Sequence, residues 1–176
     1  MSFLRRIFTP ANLFVLKCLG LYFLWQILYE FYLHQNSPVD DWVVNSLVSA
    51  SDFILQKFGY VTFRGAKRLI GIDATSGLWI GDPCNGLTLF ALFTGFIIAF
   101  PGPIKHKAWF IPSGILTIHL INIIRIVLLA IIQTGFSREV VEFNHTYTFT
   151  IFVYGIIMLM WVFWVKKLSS LNENDV

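Results

Sequence analysis

Residues 108–132 read AWFIPSGILTIHLINIIRIVLLAII. As a helix rising about 1.5 Å per residue, this run is long enough to cross a hydrocarbon layer of ~30 Å. One charge stands inside it, Arg125, within Leu-Ile-Asn-Ile-Ile-Arg-Ile-Val-Leu-Leu at 120–129. A guanidinium is expensive in lipid, so an intramembrane Arg marks a functional position by default.

Three further apolar runs accompany it, roughly 12–33, 84–100 and 147–165. The chain is 56% hydrophobic and 13% charged, with a mean hydropathy of +0.69. A soluble domain of 176 residues cannot hide that much apolar surface, so its solvent is lipid. Eighteen Phe, six Trp and six Tyr suit a protein with aromatic residues near its interfaces. The net charge of +3 is small and scattered along the flanks of apolar runs, which argues against a nucleic-acid partner.

The expected fold is an all-α membrane protein of about four transmembrane helices, residues 1–176 forming one membrane domain. The Arg5-Arg6 head could belong to a signal peptide, but Lys17 interrupts the first run and no small-x-small site follows it. It reads as an uncleaved first helix. Arg5 and Arg6, Lys105 and Lys107, and Lys166 and Lys167 fall on one side, which should be cytoplasmic, with both chain ends. The second run is near the short limit, which sets its outer end at or slightly below the headgroups.

The other side receives residues 35–83, expected as a small outer cap. Ser37-Pro38-Val39-Asp40 is a helix start: Ser as cap, Pro first, Asp three residues on. Val44, Leu47, Val48, Leu55 and Phe58 then recur at helical spacing, so an amphipathic helix on the membrane surface is expected. Tyr60-Val-Thr-Phe-Arg and Arg68-Leu-Ile-Gly-Ile read as short strands.

Two cysteines make no framework. Cys18 and Cys84 fall at opposite ends of a crossing, too far apart for a disulfide, so both read as free. Cys18 reads as a small buried apolar residue. Cys84, in Gly-Asp-Pro-Cys-Asn-Gly, opens the second run; His145 lies just ahead of the fourth. Arg125 is about 10 Å below the end of the third run, and its stem can carry the guanidinium back to their level.

A thiol, an imidazole and a guanidinium at one depth suit thiol-based acyl transfer. Cys84 is the nucleophile, and its ionisation decides its reactivity. With Asp82 as cap and Pro83 opening the helix, Cys84 falls in the first turn, where the helix dipole favours a thiolate. The Asp82 charge opposes this. His145 can move the thiol proton to a leaving amine, and Arg125 can hold an oxyanion or a carboxylate. Asn122, one turn below, can orient Arg125.

Each has a bland reading: a structural Cys before a helix, an amphipathic His at an interface. Arg125 and the shared depth outweigh them. His119, about 9 Å deeper, reads as an interhelical hydrogen-bonding residue, and His106 in the Lys-His-Lys turn as solvated. No His/Cys/carboxylate group shows metal-ligand spacing, and no cofactor is implied. Asn144-His145-Thr146 fits a glycosylation sequon but abuts the membrane.

Cys84-Asn85-Gly86 at a helix entry, Asn122-Ile-Ile-Arg125 in the next crossing and His145 opening the one after resemble the exosortase/archaeosortase family, over roughly residues 79–155. The length resembles that of the short exosortases of Bacteroidetes, XrtF-like. The resemblance implies a membrane-embedded cysteine transpeptidase of the bacterial inner membrane with its site at the periplasmic face. Catalysis would fall to Cys84, Arg125 and His145, with Asn85, Gly86 and Asn122 in support. It further implies substrates that are exported proteins with a C-terminal sorting tail, cleaved through a thioester and passed to a surface acceptor. Two other readings of the residues stay open. One is a cysteine-dependent membrane acyltransferase. The other is a non-catalytic assembly or transport subunit in which Arg125 pairs with a partner's carboxylate.

Overall fold

The computed structural model describes residues 9–33, 37–65 and 68–169. Arg5, Arg6 and Lys67 lie outside the described residues.

The first helix, α1, spans Pro10–Leu28 and runs into a wide π-helical turn, Tyr29–Leu33. Thr9 caps it, its hydroxyl accepting the Asn12 amide at 3.3 Å, with Pro10 at the first helical position. The next helix, α2, is Pro38–Lys57, and Ser37 accepts the Asp40 amide at 3.1 Å as its cap. Three short antiparallel strands follow in the order β1 (Thr62–Gly65), β2 (Leu69–Ile72), β3 (Leu78–Trp79). Thr62 pairs with Ile72, and Leu69 with both Gly65 and Trp79. The two-residue β3 carries no alternation, which is why periodicity did not reveal it.

The remaining helices are α3 (Leu87–Ala99), α4 (Ile104–Gly135), α5 (Arg138–Phe143) and α6 (Phe149–Phe163). A wide turn, Asn144–Thr148, joins α5 to α6 so that Arg138–Leu168 forms one helical rod. Among the described residues, three helices are long and apolar enough to cross a membrane: Asn12–Tyr32, Ile104–Gly135 and Arg138–Leu168. The shorter α3 joins them, so the described chain is a mostly helical membrane protein with a small sheet.

Two expectations need correcting. The run 84–100 is not helical from Cys84; α3 starts at Leu87 and its 13 residues rise only about 20 Å. The last helix starts before residue 147, at Arg138, so His145 lies inside the rod rather than ahead of it.

Two apolar clusters divide the molecule. One joins α2 and the sheet to the far half of α4, with Leu47, Leu55, Ile70 and Ile80 buried against Ile123, Ile126 and Ala130. The other joins α3, the near half of α4 and α6 through Phe93, Phe110, Ile118, Ile157 and Trp164. Gly114 permits that second contact: a Cβ there would lie 2.1 Å from the Phe93 ring, so the helices close only because none exists. Val44, Leu47, Val48 and Leu55 of the expected stripe are thus covered by α4 and the sheet rather than by lipid alone, while Phe58, just past the helix end, is exposed, as are Trp42 and Phe53. Ser46 of α2 meets His119 of α4 at 3.0 Å, the interhelical bond expected of that histidine.

At the end away from Cys84, Lys107 donates to the carbonyls of Ile98 and Phe100 at 2.9 and 2.8 Å, satisfying the C-terminus of α3. His106, expected to be solvated, instead contacts the Leu168 carbonyl at 3.1 Å. The rod of α6 returns to that point, and a buried carbonyl there needs a partner.

Candidate active site

Cys84 ends a tight 3-10 turn, Asp82–Cys84, and its amide donates to the Gly81 carbonyl at 2.9 Å. Asn85 follows, buried. Its side-chain oxygen accepts the Leu87 amide at 2.9 Å, and its nitrogen donates to Asp40 at 2.7 Å. Gly86 then takes a φ of 86° before α3 begins. That left-handed conformation disfavours any side chain. A Cβ at Gly86 would also come within 2.3 Å of the Asn122 amide nitrogen.

The break at Gly86 corrects the reading of Asp82 as cap and Cys84 as a first-turn residue. Asn85 is the group that satisfies the start of α3, and Cys84 sits ahead of it. The dipole of α3 is therefore a weak lever on the thiol, because its effect is confined to the first turn. Asn122 is corrected as well. It sits under Gly86 with neither side-chain polar atom hydrogen-bonded, and does not orient Arg125.

His145 lies on the wide turn between α5 and α6. Such turns interrupt the regular ladder and re-aim side chains, and they recur at functional sites. Here the imidazole Nε2 stands 2.9 Å from Cys84 Sγ. Arg125, 8% exposed on α4, directs Nη2 to the His145 carbonyl at 3.2 Å and to Cys84 Sγ at 4.0 Å. The three residues expected from depth alone thus meet, from three separate elements.

Burial pushes the Cys84 thiol up from its ordinary value, with the Arg125 charge and the backbone contact to Gly81 pulling the other way. The resting group at neutral pH is therefore a protonated thiol. Its nearest acceptor is His145, so a proton can pass between them without rearrangement.

A cavity of about 520 Å³ opens beside this cluster, lined by Arg125, His145, Asp82, Tyr29, Thr88 and Thr150 among others. A second, of about 560 Å³, shares Trp25, Gln26, Thr88 and Tyr154 with it and continues toward Phe96 and Trp161. Sharing these four residues, they form a channel between α1, α3 and α6, with Arg125, His145 and Asp82 at one end and apolar side chains further along. Among the described residues no group of three His, Cys, Asp or Glu is placed to hold a metal ion.

One set of residues escaped sequence reasoning. Asp40 is fully buried and paired with Arg68, whose other nitrogen approaches the Ile80 carbonyl and Asp82, each at 3.4 Å. Asp40 and Asn85 lie 45 positions apart, and no spacing rule joins them. The one available signal was a carboxylate one helical turn before Val43 and Val44, on the apolar face of α2.

A multi-pass membrane protein with a thiol, an imidazole and a guanidinium gathered at one end of its helices defines the class. The family model described as "Transmembrane exosortase (Exosortase_EpsH)" matches residues 9–163, and the chain belongs to that family. Membership implies a membrane transpeptidase. No curated protein and no solved structure matches the chain.

The turn geometry predicts a paired effect. Gly86→Ala forces a left-handed alanine, at about 1–2 kcal/mol, and also drives a methyl into Asn122. Folded protein recovered by fluorescence-detected size exclusion should fall. Asn122→Ala added to it should restore part of the loss, since it removes the clash but not the strained φ. Native recovery of Gly86→Ala would contradict this reading of the turn.

Proposed function

We propose that this chain is a cysteine transpeptidase that cuts the C-terminal sorting tail from exported proteins through a Cys84 thioester. The observation that carries this is the 2.9 Å contact between Cys84 Sγ and His145 Nε2, with Arg125 bonded beside both. His145 takes the Cys84 proton as the sulfur attacks the scissile carbonyl, forming a C–S bond and a tetrahedral oxyanion. Arg125, permanently charged, stabilises that oxyanion. As the intermediate collapses, the C–N bond breaks and His145 returns the proton to the leaving amine. An amine acceptor then attacks the thioester, His145 accepts its proton, and the thiol is released. Water in place of the amine gives hydrolysis.

The channel between α1, α3 and α6 supports a substrate whose scissile bond is delivered by a membrane-embedded segment. Its polar end is lined by Arg125 and His145, the two partners of the thiol, and its apolar continuation suits the hydrocarbon-side part of a tail. The site belongs, on this reading, at the periplasmic face of a bacterial inner membrane, with both chain ends cytoplasmic. Lys105, Lys107, Lys166 and Lys167 support this, because they lie at the end of the helices opposite Cys84.

Cys84→Ala should accumulate normally and process no tail, because no neighbouring group replaces the thiolate. Arg125→Lys should also accumulate yet lose on the order of 100-fold in processing, the range for a lost oxyanion donor. A point charge on a flexible stem does not reproduce the planar fork. The readout is the ratio of cleaved to uncleaved tail-bearing protein at matched abundance. Normal processing by Cys84→Ala removes the proposal.

Orientation has its own test. A membrane-impermeant maleimide applied to intact cells should label Cys84 in preference to Cys18. Labelling of Cys84 only after permeabilisation would place the site on the opposite face.

A further inference from the structure

Asp82 poses a problem that the thiol site does not solve. It lies two residues before Cys84 in the same turn, and a bare carboxylate there would oppose formation of a thiolate. Arg68 answers it from outside the transmembrane helices. Its Nη1 is 3.4 Å from Asp82 Oδ1 and its Nη2 is paired with Asp40. Asp40 in turn accepts from Asn85, which closes the Cys84 turn onto α3. Both Asp40 and Arg68 are buried, at 0% and 7% exposure, where an ion pair is screened little by solvent. The arrangement joins α2, the segment leading into β2 and the Cys84 turn through one planar guanidinium, a geometry that Lys cannot supply.

We propose that Arg68, anchored by Asp40, is a positioning residue of the thiol site. It offsets the charge of Asp82 at the thiol, one guanidinium being shared between that carboxylate and Asp40, so that Cys84 can ionise, and it ties the turn to the helix and sheet beside it. The proposal rests on Cys84 being the reacting group. The groups facing Cys84 fall into a consistent pattern. Arg125 and His145 approach from α4 and the α5–α6 turn, with Glu142 acting on His145 from its own rod. Asp82 stands in the turn itself, Tyr29 reaches Asp82 from the end of α1, and Asp40 and Arg68 complete the set. Among the described residues Arg68 is the cation paired with Asp82, so its removal exposes that carboxylate to the thiol.

The test reads the thiol directly and needs no substrate. The full-length protein in detergent is alkylated with iodoacetamide across a pH series, and peptide mass spectrometry follows Cys84 separately from Cys18. Arg68→Gln should move the Cys84 profile up by about one pH unit, hence roughly tenfold slower alkylation on its rising limb. Arg68→Gln combined with Asp82→Asn should bring the profile back. General loosening of the fold would not be reversed by removing a second charge. An unchanged profile in Arg68→Gln, or a shift that Asp82→Asn does not reverse, overturns the proposal.

If Arg68→Gln does not accumulate, Asp82→Asn alone decides. A carboxylate whose charge Arg68 already offsets at the thiol leaves the profile nearly in place when it is removed. A fall of about one pH unit would mean that its charge bears on the thiol despite Arg68, and would overturn the proposal. Failure of the transpeptidase reading would look different: Cys84→Ala would process tails normally whatever the alkylation profiles show.

Discussion

A guanidinium buried in an apolar helix sets the terms for the rest of this molecule. A guanidinium at the centre of a crossing costs roughly 2.5–3.5 kcal/mol on insertion scales; Arg125 lies nearer one end of its helix but still within the apolar run, so the fold must supply partners at its depth. It does so with the His145 carbonyl and the Cys84 sulfur. The wide turn at Asn144–Thr148 brings both the carbonyl and the ring of His145 to the corner where α4 meets the Cys84 turn. One residue thus shapes the last helical rod and selects the thiol's neighbours. A helix carrying leucine at that position would need none of this.

The site also sits where the two apolar clusters part. On one side α4 packs against α2 and the sheet, on the other against α3 and α6. Side chains at the seam are polar or small: Asn85, Gly86, Asn122 and Arg125. The seam stays narrow because Gly86 lets Asn122 approach the backbone of the turn. The segment before β1 is therefore part of the membrane fold, since α2 reaches down α4 as far as His119.

Much of this was legible in the sequence, and the failures share one cause. Apolar run lengths located the crossing helices, and the Ser37-Pro38 start was read correctly down to its cap. Arg125 stood out because charge in a long apolar run has few innocent explanations. Depth counting then brought Cys84 and His145 to its level, and the geometry agrees. What failed were features decided by a single backbone residue or by contacts distant in sequence. The left-handed Gly86 delays α3 by three residues beyond Cys84, which no hydropathy pattern reports. His145 reads as lying ahead of its helix because the charged and polar residues among 138–146 break the apolar run, whereas the rod continues through them. The Asp40–Arg68–Asp82 pairing depends on three elements meeting, and pairwise spacing does not contain it. In the sequence Asp40 reads only as part of a helix start and Arg68 as the opening of a short strand; the fold buries and pairs them.

The central claim is that Cys84 carries a peptidyl group during turnover. The most direct measurement is mass spectrometry of the protein recovered from cells that export a tail-bearing substrate, with and without hydroxylamine. The account predicts a hydroxylamine-sensitive peptide adduct on Cys84 that ends at the scissile carbonyl and disappears in Cys84→Ala. A fatty-acyl adduct in its place, or tail processing with no adduct at Cys84 under conditions that trap thioesters, would contradict it.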